Sequence, residues 1–153
     1  SVAWARLFLL HGAGEDPRRL VPSLIDTFAG RRAPFAVNHG TWRDLLHASD
    51  AAEGLVALLR YGAQGAYNLS AGQPTRLSEV VQAIARRFGA DPSLVLRLPA
   101  APRRDEPELL VGESRRLQAL GWQPRHPLAS GLAETIEARL AELDPTTSHA
   151  QGL

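Results

Sequence analysis

The stretch Ala5-Arg6-Leu7-Phe8-Leu9-Leu10-His11-Gly12-Ala13-Gly14-Glu15-Asp16-Pro17 decides how the chain is to be read. An apolar run stops at a glycine-bearing loop, and many phosphate-binding folds open in this way. Ala5 to Leu10 predicts a short buried strand. The dinucleotide fingerprint G-x-G-x-x-G fits at Gly12 and Gly14 but fails at Pro17, where the third glycine should stand. Proline also removes a backbone N–H from a loop that would need its donors. The loop is therefore not read as the phosphate cradle of a cofactor.

The bulk numbers narrow the field. A chain of 153 residues is long enough for one domain with a real core. With 44% hydrophobic and 22% charged residues it has the composition of an ordinary soluble globular protein. A net charge of +1 makes no case for nucleic acid or an anionic membrane. The absence of cysteine excludes disulfides and thiolate metal sites. No apolar run approaches the roughly 20 residues of a membrane helix. No signal peptide is visible, so a cytoplasmic location is expected. All 17 basic residues are arginine, so no step that needs a lysine can draw it from this chain. The sequence begins at Ser1 and contains no Met, which implies a cut from something longer.

Along the chain, strands and helices are mixed. Leu20, Val21, Leu24, Ile25 and Phe28 recur at helical spacing, with Gly30 as the stop. Pro34 to Asn38 reads as a short strand, and Gly40 to Asp44 as a turn. Asp50 with Glu53 has capping-box spacing ahead of a helical face at Ala52, Leu55, Val56 and Leu59. Ala66 to Leu69 predicts a strand, followed by a turn through Pro74. Thr75 then caps the clearest amphipathic helix, Leu77 to Phe88. Leu94 to Leu98 reads as a strand, residues 99–107 as a proline- and arginine-rich loop, and Leu109 to Val111 as extended. Ser114 begins a short helix, and Leu132, Ile136, Leu140 and Leu143 mark the last one. Residues 144–153 are expected to form a disordered tail.

Two functional readings of the opening stretch remain. In the first, His11-Gly12 is the oxyanion loop of a small α/β hydrolase. Asn68-Leu69-Ser70-Ala71-Gly72 then stands for the nucleophile elbow, with Asp105 and His126 completing a triad around Ser70. Asn68 replaces the elbow's first glycine, and Gln73-Pro74 delay the helix that should follow at once.

The second reading rests on four stretches. Arg6 to Gly14 resembles "R-x-F-N-x-Y-G-P-G", and Gly40-Thr41-Trp42-Arg43-Asp44-Leu45-Leu46-His47-Ala48-Ser49-Asp50 resembles "G-x-x-R-D-F-V-H-V-D-D". Tyr67 to Gly72 resembles "Y-N-I-G-S-G". Gly121-Trp122-Gln123-Pro124, followed by Leu128, Gly131 and Leu132, resembles "G-W-x-P" and "L-x-x-G-L". These are motifs of the extended short-chain dehydrogenases, the NAD-dependent epimerase/dehydratase family that acts on nucleotide sugars. They fall in the right order over nearly the whole chain to Leu143.

The resemblance implies an α/β fold: the C-terminal end of a Rossmann-type sheet plus a small mixed α/β substrate-binding subdomain, over residues 1–143. It implies a nucleoside-diphosphate sugar as ligand and a homodimer of the full-length enzyme. The cofactor is NAD or NADP, bound mainly by an N-terminal half that this sequence lacks. The family's glycine fingerprint and Tyr-x-x-x-Lys pair belong to that half, so the chain alone is expected to be inactive. The rival is a stand-alone nucleotide-sugar-binding or interaction module without catalysis, with the Ser70 hydrolase a distant third.

Arginine suits a diphosphate because its planar fork donates two parallel hydrogen bonds. By resemblance Arg43 is the first diphosphate ligand. Pro102-Arg103-Arg104-Asp105-Glu106 resembles the family's "R-x-G-E/D" loop, which makes Arg103 the second ligand with Arg104 as alternative. Asp105 stands there in place of glycine. Arg19 is a further candidate beside the sugar pocket. Leu9 replaces the family's asparagine and His11 its tyrosine; His11 is read as a packed ring at a strand end. Asp44 is read as ordering the turn that aims Arg43, His47 as filling a strand or core position, and Trp122 as a packing anchor.

Overall fold

The opening apolar run builds two strands rather than one. In the computed structural model, which describes residues 2–101 and 105–144, β1 spans Ala3–Leu7 and β2 spans Leu9–His11. The break at Phe8 lets the run serve two sheets. β1 pairs in parallel with β4 (Gly65–Leu69), and β2 pairs in parallel with β3 (Trp42–His47). Phe8 still donates its N–H to the Leu69 carbonyl at 3.4 Å before the chain turns away. The first part of the expected buried strand is not buried: Leu7, at the end of β1, is 50% exposed. Among the described residues β4 is its only strand partner, so its other edge stays open.

β3 continues the second sheet. It pairs antiparallel with β5 (Pro74–Arg76) and parallel with the two-residue β6 (Leu109–Leu110). The helices are α1 (Leu20–Phe28), α2 (Ala48–Arg60), α3 (Leu77–Arg87), α4 (Ser93–Leu96), α5 (Arg115–Gln118) and α6 (Leu128–Leu143). None is long and apolar enough to cross a membrane.

Neighbouring residues of β3 point into different cores, as the two-residue period of a strand requires. Leu45 packs with Val21, Leu24 and Ile25 of α1, Val80, Val81 and Ile84 of α3, and Leu132 and Ile136 of α6. Leu46 packs on the opposite side with Leu58, Tyr67, Leu69, Leu117 and Trp122. β3 is thus covered on both faces, which explains why its sequence does not alternate between apolar and polar. Gly54 of α2 admits the second core. A Cβ there would lie 3.2 Å from side-chain carbons of Leu69 and Leu117.

Several local expectations are corrected. Residues 33–38 form no strand; the Asn38 carbonyl instead accepts bonds from the Thr41 amide and hydroxyl. The predicted turn at Gly40 to Asp44 is already strand from Trp42. Leu94 to Leu98 is no strand either. Pro92 holds φ at −62° and the Asp91 carboxylate accepts the Ser93 N–H at 2.8 Å, which starts the short helix α4. Thr75 lies in β5, and Arg76 occupies the N-cap of α3. Asp50 does not cap α2, which begins two residues earlier. Ser114 is the N-cap residue of α5 but makes no side-chain capping bond. The expected tail falls mostly outside the described residues, although Asp144 pairs with Arg31 at 2.7 Å.

Candidate functional site

Arg43 is held at the start of β3 by the segment that precedes β6. Its Nη1 donates to the carbonyls of Trp42 (2.7 Å), Pro107 (3.0 Å) and Glu108 (3.4 Å). Its Nη2 donates to Glu106 Oε1 at 2.7 Å. The guanidinium-bearing side chain is only 10% exposed and that of Glu106 22%. Glu106 also accepts from the Asn38 amide at 3.2 Å, which fastens residues 105–108 across the strand. The Arg43 Nε has no hydrogen-bond partner among the described residues. Arg76 lies over the Trp42 ring at 5.2 Å and adds a second positive group at this end of β3.

Asp44 fixes the floor of the site. Its carboxylate accepts backbone N–H bonds from Ala71 (2.7 Å), Gly72 (2.8 Å) and Gly112 (3.2 Å). It thereby ties β3 to the loops after β4 and β6. Burial pushes its carboxyl above the usual range, against the three donors that favour the ionised form. Asp44 is structural, but it orders the loops after β4 and β6 rather than a turn at Arg43, which already lies in β3. Trp122 is the buried anchor expected, with Nε1 donating to the Asp50 carbonyl at 3.0 Å.

Arg19 is not gathered at this point. Arg19 stands at the N-cap of α1 and faces Glu15 at 3.8 Å, with its side chain 56% exposed. Arg103 and Arg104 lie outside the described residues, though they belong to the loop whose continuation holds Arg43. Glu106 as the partner of Arg43 was not singled out from sequence; the only available signal was its place in the "R-x-G-E/D" loop. The three histidines His11, His47 and His126 were read separately, and the fold brings them together.

The hydrolase triad does not assemble among the described residues. Ser70 is fully buried and its hydroxyl has no partner. His126 is instead bound to Asp50 at 2.8 Å. The Gly12–Gly14 loop does not fit a dinucleotide either. A Cβ at Gly12 would meet Ala48 Cβ at 2.9 Å, so its close approach serves helix α2. The Gly14 N–H is already taken by the Glu142 carboxylate at 3.2 Å, and a carboxylate there repels phosphate.

Parallel strands flanked by helices, with an arginine held under a loop at one strand end, place the chain among Rossmann-type α/β proteins. A model of the NAD dependent epimerase/dehydratase family matches residues 1–70. The UDP-glucose 4-epimerase of Azospirillum brasilense is 30% identical over 147 residues, covering 86% of this chain and 40% of that protein. A trifunctional UDP-glucose 4,6-dehydratase, 3,5-epimerase and reductase of Arabidopsis thaliana is 28% identical over 131 residues, covering 84% of this chain and 19% of that one. The structure of MoeE5 in complex with UDP-glucose and NAD superposes with a TM-score of 0.82 at 26% identity, covering 94% of this chain and 48% of that one. Residues 1–70 thus match the NAD dependent epimerase/dehydratase family, and the chain spans less than half the length of these relatives.

Proposed function

We propose that this chain is the substrate-binding part of an NAD(P)-dependent nucleotide-sugar epimerase, dehydratase or ketoreductase, in which Arg43 grips the diphosphate. The observation that carries the reading is the state of the Arg43 guanidinium. It is buried, locked in orientation by three carbonyls and Glu106, and its Nε has no partner among the described residues. Glu106 is the anion that now holds Nη2, and a diphosphate would take its place on a guanidinium already fixed in orientation. Arg103, or Arg104 beside it, supplies the second cation from the adjoining loop. Arg19 contributes from the rim at most, because it is exposed and already faces Glu15. Relatives named for UDP-glucose chemistry support this ligand class.

The chain's own part in the reaction is positioning. Holding the diphosphate fixes where the sugar lies, and a fixed near-attack geometry removes a large entropic barrier. The nicotinamide would supply hydride chemistry when bound, and the Gly12–Gly14 loop offers it no phosphate cradle. No lysine exists in the sequence to complete a Tyr-x-x-x-Lys pair, so the chain by itself turns over no substrate.

Calorimetric titration with UDP-glucose, UDP and uridine tests the reading. UDP and UDP-glucose should bind and uridine should not, because the diphosphate carries the affinity. Arg43→Lys keeps the charge but loses the fork, and should weaken UDP binding about tenfold or more, the worth of a charge-assisted hydrogen bond. Equal binding of uridine and UDP, or an unchanged Arg43→Lys variant with wild-type circular dichroism, would overturn the assignment.

A further inference from the structure

A second constellation sits at the other end of β3. His11 ends β2, His47 ends β3, and His126 lies just before α6. The rings of His11 and His47 meet edge-on at 5.3 Å, and those of His47 and His126 stack at 4.2 Å with 29° between their planes. Gly131 of α6 leaves room for all three. A Cβ at that position would lie 3.0 Å from His11, 3.4 Å from His47 and 3.5 Å from His126. One turn further, Glu134 Oε2 comes to 3.7 Å from His126 Nε2.

The three imidazoles are not equivalent. His11 is occupied, its Nδ1 lying 3.0 Å from the Thr135 hydroxyl in a buried setting. His126 has one nitrogen occupied and one available. Its Nδ1 faces Asp50 Oδ1 at 2.8 Å, and Oδ2 of the same carboxylate accepts the His126 backbone N–H at 3.0 Å. Asp50 is 1% exposed, and both of its carboxylate oxygens are engaged by His126. It can only accept, so the neutral imidazole carries its proton on Nδ1 and leaves the Nε2 lone pair toward Glu134. A carboxylate on the far nitrogen of a histidine is the arrangement that orients metal-binding imidazoles. His47 is 7% exposed, and its Nδ1 is buried without any hydrogen-bond partner. A buried polar atom left unpaired in this way calls for an explanation.

One nitrogen of His47, one of His126 and a carboxylate oxygen of Glu134 lie within 4.8 Å of one another. Ligands bound tetrahedrally to zinc at about 2.0–2.1 Å are about 3.4 Å apart. The His126–Glu134 separation is already close to that value. Glu134 is 58% exposed and free to swing through the remaining distance.

We propose that His47, His126 and Glu134 bind a divalent transition metal, zinc by preference, with Asp50 orienting His126 and the fourth position left to water. Two imidazoles and a carboxylate suit zinc, whereas calcium and magnesium want oxygen throughout. The ion ties α6 to the ends of β3 and of the loop that carries Trp122.

The test uses the full chain without a polyhistidine tag, stripped with chelator and titrated with Zn²⁺ by calorimetry and with Co²⁺ by visible absorption. One equivalent of Zn²⁺ should bind, and Co²⁺ should develop the strong visible bands of a low-coordinate site. Removing even an outer-shell partner of a metal site commonly weakens binding 10–100-fold, so Glu134→Gln should weaken Zn²⁺ binding at least about tenfold. Glu134→Ala should do the same, and His39→Gln should bind as the wild type does. Glu134 is exposed, so both of its variants should fold. No wild-type binding tighter than about 0.1 mM, or unchanged binding in both Glu134 variants, overturns the proposal.

Discussion

At the scale of single residues, Glu15 is a carboxylate in the wrong solvent. Its side chain is 13% exposed and Oε2 is buried without a partner. Burial pushes its pKa up to about 7, against the opposing pull of Arg19, which is exposed and therefore screened. The folded value lies above the unfolded one, so Glu15 favours the fold below the unfolded pKa and loses that contribution as pH rises through about 7. Glu15→Gln should therefore stabilise the protein at pH 8, by at most about 3 kcal/mol, and do little at pH 4. Urea denaturation of both proteins at the two pH values reads this; a difference that does not change with pH would refute it. Burial raises the Asp44 carboxyl too, but there three backbone donors engage its oxygens. Asparagine offers one oxygen to the three backbone donors, so Asp44→Asn should cost about 1–3 kcal/mol, again by urea denaturation. Arg43 and Asp44 were legible in the sequence because they stand next to each other in one motif. Glu106, 63 positions from Arg43, was not, because only the fold says which side chain meets a guanidinium. The three histidines were hidden for the same reason.

At the scale of elements, apolar periodicity carried α1, α3 and α6; in α3 and α6 the buried residues recur every three or four positions, whereas α1 is buried from Val21 through Phe28. It failed at Leu94 to Leu98, where a run of five residues is too short to separate strand from helix, and Asp91-Pro92-Ser93 decides the outcome locally. The opening run failed differently. Its composition is that of a strand, and nothing in it announces that Phe8 hands the chain from one sheet to another. Where β4 and β6 end, Gly112 allows a contact no other residue permits. A Cβ there would fall 2.4 Å from Ser70 Cβ and 2.7 Å from the Phe8 ring. Gly112→Ala must push the two segments apart and stretch the Gly112–Asp44 hydrogen bond. It should cost about 3 kcal/mol or more, seen as a lower urea midpoint; a loss under about 0.5 kcal/mol would contradict the packing described.

At the scale of the whole molecule, four motifs in order were enough to reach the fold class, because each marks a place where strand, turn and helix must meet in one way. They did not reveal that β3 is the wall between two cores. Leu45→Ala and Leu46→Ala remove packing from opposite sides of that wall, and each should cost about 2–5 kcal/mol. Both variants should still unfold in a single transition by fluorescence and circular dichroism alike, because neither core keeps its strand when the other is lost. Separate transitions for the two probes would show that the cores are independent.

The same strand also acts as a ruler. Arg43 and His47 are four residues apart on an extended backbone, so the anion grip and the proposed cation site stand about 13 Å from each other along one stiff rod. A nucleotide sugar at one end and an ion at the other would brace the same strand. A rod already straight has no second shape to offer either ligand, and without two shapes there is no cooperativity. Each ligand should raise the melting temperature by mass action alone, and the two increments should simply sum.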